Sequence, residues 1–282
     1  MSKSSLAAVL AALAALAATG SAAAAQSFAY KPGVQHYRLD QTVAMTQTVQ
    51  GMTQSSESST TQFLSMELAP GDSGLGVTFV IDSVLVVPPD STTPPSPVQA
   101  QATAQAQDAA KALKGRRIVG VVSPLGRVQR LALADTVLPN AQQLANGFKA
   151  FLVPFPSASV KAGMTWTDTT TNEFKNMSGM DGTTKGVMTY TVVGDTTVHG
   201  QRAWRIAQKG TLTMTGVGAA QGTDVSLAGT GTMTGEVIVG HDGVYLGGSM
   251  EQQQSLTVEV PAASMTIPIT NKVTTRIQHA GS

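Results

Sequence analysis

Beyond the first 25 residues, hydrophobic and polar positions alternate with a period of two. Val244, Leu246, Met250, Leu256, Val258 and Val260 fall on one side of such a run. Tyr245, Ser249, Glu251, Gln253, Ser255, Thr257 and Glu259 fall on the other. Successive side chains leave a pleated backbone on opposite faces, so this period predicts half-buried strands. The preceding run repeats it, with Leu227, Met233, Val237 and Val239 facing Thr230, Thr232, Thr234 and Glu236. Between the two lies Gly240-His241-Asp242-Gly243, and Asp-Gly flanked by alternating runs predicts a hairpin turn. Further apolar faces are Met265, Ile267, Ile269, Val273 and Ile277; Trp204, Ile206, Leu212 and Met214; and Met188, Tyr190 and Val192. Near the N-terminus they are Tyr37, Leu39, Val43, Met45 and Val49, then Leu64, Met66 and Leu68. Leu75, Val77, Phe79, Ile81, Leu85 and Val87 follow.

These runs are long against the usual strand of about 5 or 6 residues. Long neighbouring strands with one apolar and one Thr-rich face predict a mainly β protein. Its core is a large curved antiparallel sheet or open half-barrel. An apolar sheet face needs a cover. Two segments with helical spacing supply it. Val98 to Leu113 has Ser96 as N-cap, Pro97 in the first turn, Gly115 beyond the end, and a weak apolar face of Ala102, Ala106, Ala109 and Leu113. Pro139 to Leu152 carries Ala141, Leu144, Ala145, Phe148, Phe151 and Leu152. A short hairpin, Arg117 to Val122 and Arg127 to Leu133, separates them around Pro124-Leu125-Gly126. Positions 88–107 form a Pro/Ala/Gln-rich excursion whose first half reads as a loop. The strands before it are too few to close alone, so residues 26–282 are expected to form a single β-rich domain.

The opening segment changes the picture of where the protein works. Lys3 supplies a short charged start, Leu6 to Ala18 is an apolar run too short to span a bilayer, and Ala22 to Ala25 offer small-residue cleavage sites. This predicts a signal peptide over residues 1–25 and export to the periplasm or cell envelope. Without Lys3 the chain balances 17 basic residues (18 − 1) against 17 acidic ones, which argues against a nucleic-acid partner. There are no cysteines, so disulfides, thiol catalysis and thiolate metal sites are excluded. No later stretch is apolar enough for a helical span. Aromatic residues are 5% of the chain, too few for the two girdles of a membrane barrel.

Catalytic chemistry finds little support in the sequence. Gly71-Asp72-Ser73-Gly74 matches the nucleophile phrase of trypsin-like proteases. In that family both the base and its orienting Asp precede the Ser, and only His36 lies upstream here. Pro70 and the two glycines make the phrase a turn. His36, His199, His241 and His279 are dispersed, so neither a metal site nor a cofactor is expected, and the chain is read as no enzyme. Two other features could serve binding. Lys111, Lys114, Arg116, Arg117, Arg127 and Arg130 form a basic cluster with no acid between Asp108 and Asp135, suited to anionic headgroups or to a solvated helix end. The 11 methionines after Met1 include Met45, Met66, Met188, Met214, Met233, Met250 and Met265 at or near apolar strand faces. They fit an adaptable cavity wall or a filled core.

Phe155-Pro156 followed by Val160-Lys161-Ala162-Gly163-Met164-Thr165-Trp166 resembles the Pro…Val-x-x-Gly-x-x-Trp step of an uncharacterised family of exported bacterial β proteins. Pro32-Gly33-Val34-Gln35-His36-Tyr37 stands at the place of that family's opening strand. The resemblance implies no activity. The order of strands and helices also resembles, at the level of fold, the half-barrels of periplasmic lipoprotein carriers, which hold acyl chains under a helical lid. The leading expectation is therefore a non-catalytic exported protein that binds a lipid, an acyl chain or an acylated protein between sheet and helices. Phe148, Phe151, Met188, Met214, Met233 and Met250 would line that site. A structural or interaction module with a filled core is the alternative, separable by cavity volume.

Overall fold

The computed structural model describes residues 26–49, 51–87, 97–134, 141–177, 179–220 and 223–280. The predicted signal peptide, Ser96 and the proline-rich start of the excursion lie outside them. Strands β1 (Gln26–Ser27) and β7 (Ser159–Val160) form a small pair of their own. The other strands are β2 (Gly33–Val49), β3 (Met52–Gly71), β4 (Gly74–Val87), β5 (Arg117–Val122) and β6 (Val128–Leu133). They continue with β8 (Thr165–Met177), β9 (Met180–Val198), β10 (Gln201–Ala220), β11 (Thr223–Gly240), β12 (Tyr245–Val260) and β13 (Met265–His279). These make one 11-stranded antiparallel sheet in the order β6-β5-β4-β3-β2-β13-β12-β11-β10-β9-β8. It curls into an open half-barrel whose end strands are β6 and β8.

Two meanders of sequential hairpins thus meet at the β2–β13 ladder, where Tyr37 faces His279 and Val43 faces Val273. The turns carry the expected chemistry. Gly240 to Gly243 closes β11–β12, and Asp72-Ser73 closes β3–β4. His199 and Gly200, with φ of 49° and 79°, join β9 to β10. Positive φ at both central residues matches the twist of the flanking strands.

Bulges correct the alternation read from sequence. Ile81 pairs with Leu64 and Ser83 with Phe63, leaving Asp82 as an extra residue. The face therefore flips after Asp82. Val84 packs against the core, while Leu85 and Val87, expected inside, are exposed. Likewise Gly247 pairs with Ile238 and Tyr245 with Val239, so Leu246 is extra. This turns Tyr245, expected on the polar face, into the core. An extra residue on one strand of a pair shifts the side-chain parity beyond it.

Helix α1 (Pro97–Leu113) matches its predicted span and packs on β4. Its buried side differs from the expected one: Ala106 and Ala109 are exposed, whereas Ala110 is buried and Leu113 meets the core. Its exit is fixed by backbone bonds from Gly115 N–H to the Ile81 carbonyl (2.7 Å) and from Ile81 N–H to the Arg116 carbonyl (3.0 Å). The second predicted helix is shorter than expected. Helix α2 (Ala141–Gly147), which packs on β6, tightens into a 3₁₀ turn over Phe148–Phe151. Side chains three apart eclipse in such a turn, which places both Phe rings on one side. They are buried and stacked at 6.0 Å.

Candidate functional site

The gap between the two ends of the sheet is filled by the segment after α2 and by the N-terminal residues. Leu152, Val153 and Phe155 are buried, and Phe155 N–H donates to the Leu125 carbonyl at 2.8 Å. The Tyr30 hydroxyl accepts from Val153 N–H at 2.8 Å, and Phe28 N–H donates to the Ala158 carbonyl. Trp166, on β8, donates its indole N–H to the Pro154 carbonyl at 2.8 Å and stacks on Tyr190 at 5.2 Å. Phe28, Tyr30, Phe155 and Trp166 form one chain of ring contacts. This is what the Phe155 to Trp166 phrase does physically: Val160 pairs with Gln26, Gly163 N–H bonds the Val192 carbonyl, and Trp166 locks the plug to β8.

Phe148 and Phe151 continue that plug over the sheet. Phe151 contacts Tyr37, Phe79 and Tyr245 at ring distances of 5.3 to 5.7 Å. Tyr37 donates from its hydroxyl to the Tyr245 carbonyl at 2.9 Å. Burial pushes the phenols of Tyr30, Tyr37, Tyr190 and Tyr245 well above the ordinary tyrosine value, so all stay neutral. The space between Ala150 and β12 amounts to about 20 Å³, little more than one water needs. The two Phe residues are core, and the seat expected under the helix is filled.

The four methionines lie on the apolar face of β9 to β12, with Met250 at the border of that small space. Register places a glycine beside each. Gly210 pairs with both Met188 and Met233, Gly229 with Met214, and Gly235 with Met250. A methyl group added at Gly210 would lie 3.0 Å from the Met188 sulfur, and one at Gly229 2.3 Å from Leu256 Cδ2. Large side chains therefore lie across neighbouring glycines. Met188, Met214, Met233 and Met250 are half-buried. The sequence signals this lane through its methionines, while the glycines beside them carry no apolar signal of their own.

The basic cluster is divided. Lys111 pairs with Asp108 at 3.0 Å, and Arg116 donates to the Ala112 carbonyl at the end of α1. Arg117 and Arg130 are exposed on β5 and β6, with Lys114 exposed at the helix exit. Arg127, at the other end of the β5–β6 hairpin, pairs with Asp168 of β8 at 3.8 Å.

The remaining candidates are accounted for by structure. Ser73 sits in the β3–β4 turn. That turn begins six residues along β3 from Ser65, the pairing partner of His36, or roughly 20 Å away. His241 stacks on Trp204 at 4.3 Å and meets Asp195, not Asp242, at 3.2 Å. Asp242 instead accepts from Gln201 at 2.6 Å and pairs with Lys31 at 3.5 Å, so the β11–β12 turn is tied to its neighbours. Among the described residues no group of three or more His, Asp or Glu could hold a metal ion, and no helix is long and apolar enough to cross a membrane.

No protein-family model and no curated protein matches the chain. Among solved structures it is similar to OccK9 (OpdG) of Pseudomonas aeruginosa, with 7% identity, 87% of this chain and 98% of that one covered, and a TM-score of 0.28. Pseudomonas aeruginosa OpdQ gives 7% identity, 88% and 98% coverage and a TM-score of 0.27. A DUF1329 family protein from Desulfovibrio piger gives 7% identity, 87% and 86% coverage and a TM-score of 0.17.

Proposed function

We propose that the protein is an exported, non-catalytic binding protein that holds an apolar ligand, a lipid or acyl chain, along the methionine–glycine lane of its half-barrel. One observation carries this reading: the half-buried alternation of Met188, Gly210 and Met233, continued by Met214 beside Gly229 and Met250 beside Gly235. At Gly210 the Met188 thioether lies across the glycine, where the absent side chain leaves it room. Unbranched methionine makes such a wall adaptable to differing chains. Phe148 and Phe151 do not belong to this seat; they hold the plug that keeps the sheet curled.

The test is mass spectrometry of organic extracts from protein purified out of its exported compartment, with Met233→Gln and Met250→Gln beside the wild type. A stoichiometric lipid that both variants lose while remaining folded supports the reading. A clean extract, together with no uptake of a fluorescent fatty acid, overturns it.

The second reading, an interaction module with a filled core, is favoured by the roughly 20 Å³ left beneath the 3₁₀ turn. It expects Met→Leu substitutions along the lane to be neutral in every binding assay and within about 1.5 kcal/mol in stability.

A further inference from the structure

A broad hollow lies on the opposite side of the sheet. It holds about 710 Å³ and spans β10 to β2. Thr213, Thr230, Ser255, Thr270 and Thr46 form one unbroken row across it, each paired with the next in register. Thr211 and Thr232 pair in the adjoining row and also line a second hollow of about 470 Å³ toward β9. The two make a trough across six strands, about 24 Å wide at the usual strand spacing.

The lining chemistry is specific. Hydroxyls dominate and Gln253 adds an amide. Lys272, the cation of the main hollow, is neutralised by Glu251 at 2.9 Å. The main hollow is thus neutral, and its closely spaced hydroxyls offer many short, adaptable donors and acceptors; Lys209 adds a cation only at the β9 end of the trough. Each threonine also presents a methyl group, suited to the C–H faces of a sugar ring. Such a surface matches a ligand that is itself polyhydroxylated, uncharged and extended, since a compact ligand would leave most of the trough empty. The volume of the main hollow falls within the range of about 300–1,000 Å³ usual for ligand sites.

We propose that the Thr-rich trough binds a neutral glycan chain. The hydroxyl rows lie on the face opposite the methionine side chains, although Gly210 and Met233 also border the second hollow; lipid extraction and glycan titration read separate ligands, so either proposal can fail alone.

The experiment titrates the full exported chain with soluble neutral gluco-oligosaccharides of increasing length, read by calorimetry and by NMR. Millimolar or tighter binding that strengthens with length and is unmoved by salt is expected. The Thr213→Val/Thr232→Val double variant keeps side-chain shape and strand preference but removes two hydroxyls, and should lose about tenfold in affinity. Thr257→Val, on the same face outside the hollow, should lose none. Absence of binding, equal affinity in the double variant, or binding confined to a uronate oligosaccharide and abolished by salt would each overturn the proposal.

Discussion

Arg127 and Asp168 meet at 3.8 Å across the opening of the half-barrel. Arg127 precedes β6 and Asp168 lies on β8, so this contact joins the two ends of an 11-stranded sheet that no backbone ladder closes. Lys149 donates to Asn172 Oδ1 at 2.8 Å, tying the plug to the same strand, and its partial burial holds the amine below the usual lysine value. The Arg127 side of the pair is mostly exposed to solvent and the contact is long. A double-mutant cycle of Arg127→Ala and Asp168→Ala should therefore give a coupling of about 0.2–1 kcal/mol that vanishes in high salt. A coupling that persists in salt would mean the pair is more buried than it is here.

Tyr30→Phe isolates one hydrogen bond of the plug. The Val153 N–H then loses its partner inside a buried segment, and stability should fall by about 1–3 kcal/mol. Urea denaturation should show a lower midpoint at an unchanged m-value. An unchanged midpoint would show that the plug does not depend on this bond.

Two glycines with similar backbone angles should respond differently to alanine. Gly163 has φ of 79° and open space where a methyl would go, so Gly163→Ala should cost about 1–2 kcal/mol from backbone strain. Gly126 has φ of 83°, and a methyl there would lie 2.3 Å from the Val153 carbonyl oxygen and 2.4 Å from Tyr30 Cε2. Gly126→Ala should therefore be clearly the more damaging. Equal losses for the two would count against the close approach of the β5–β6 turn to the plug.

The C-terminal end of β13 gives a pH dependence. Burial, then the nearby charges of His199 and His36, hold the His279 imidazole below its ordinary value of 6.5. The unfolded chain thus binds more protons than the folded one as pH falls through that value. Stability from His279 is complete above 6.5 and is lost as pH falls toward the lowered folded value. Melting temperatures recorded across this window should drop on acidification, and His279→Gln should flatten the drop. A steeper drop in the variant would reverse the sign of the linkage.

Where strand parity runs unbroken, the sequence was enough. Leu64, Met66 and Leu68 are buried as alternation requires, as are Val237 and Val239. Parity failed at Asp82 and Leu246, because a bulge adds a residue without altering composition on either side. Only the pairing register reveals it. The α1 face failed for a different reason. A helix of Ala and Gln has nearly equal apolarity all round, and its docking angle was set by the Gly115–Ile81 backbone bonds. Of the six residues expected to line a ligand site, the four methionines are half-buried on the sheet and the two phenylalanines are core. Helical spacing cannot tell a Phe that lines a cavity from one that fills it.

The β2–β13 ladder also has a consequence for synthesis. Tyr37 and His279, paired in the ladder, stand 242 positions apart (279 − 37). On the ribosome β2 can hydrogen-bond to β3 at once, but its other edge waits until β13 has emerged. For that interval a 17-residue strand presents an unsatisfied edge, the kind of surface that recruits wrong partners. A nascent chain of this protein is thus committed to a late, long-range closure. Agents that shield an unpaired strand edge during elongation should raise its yield more than agents that speed local hairpin formation.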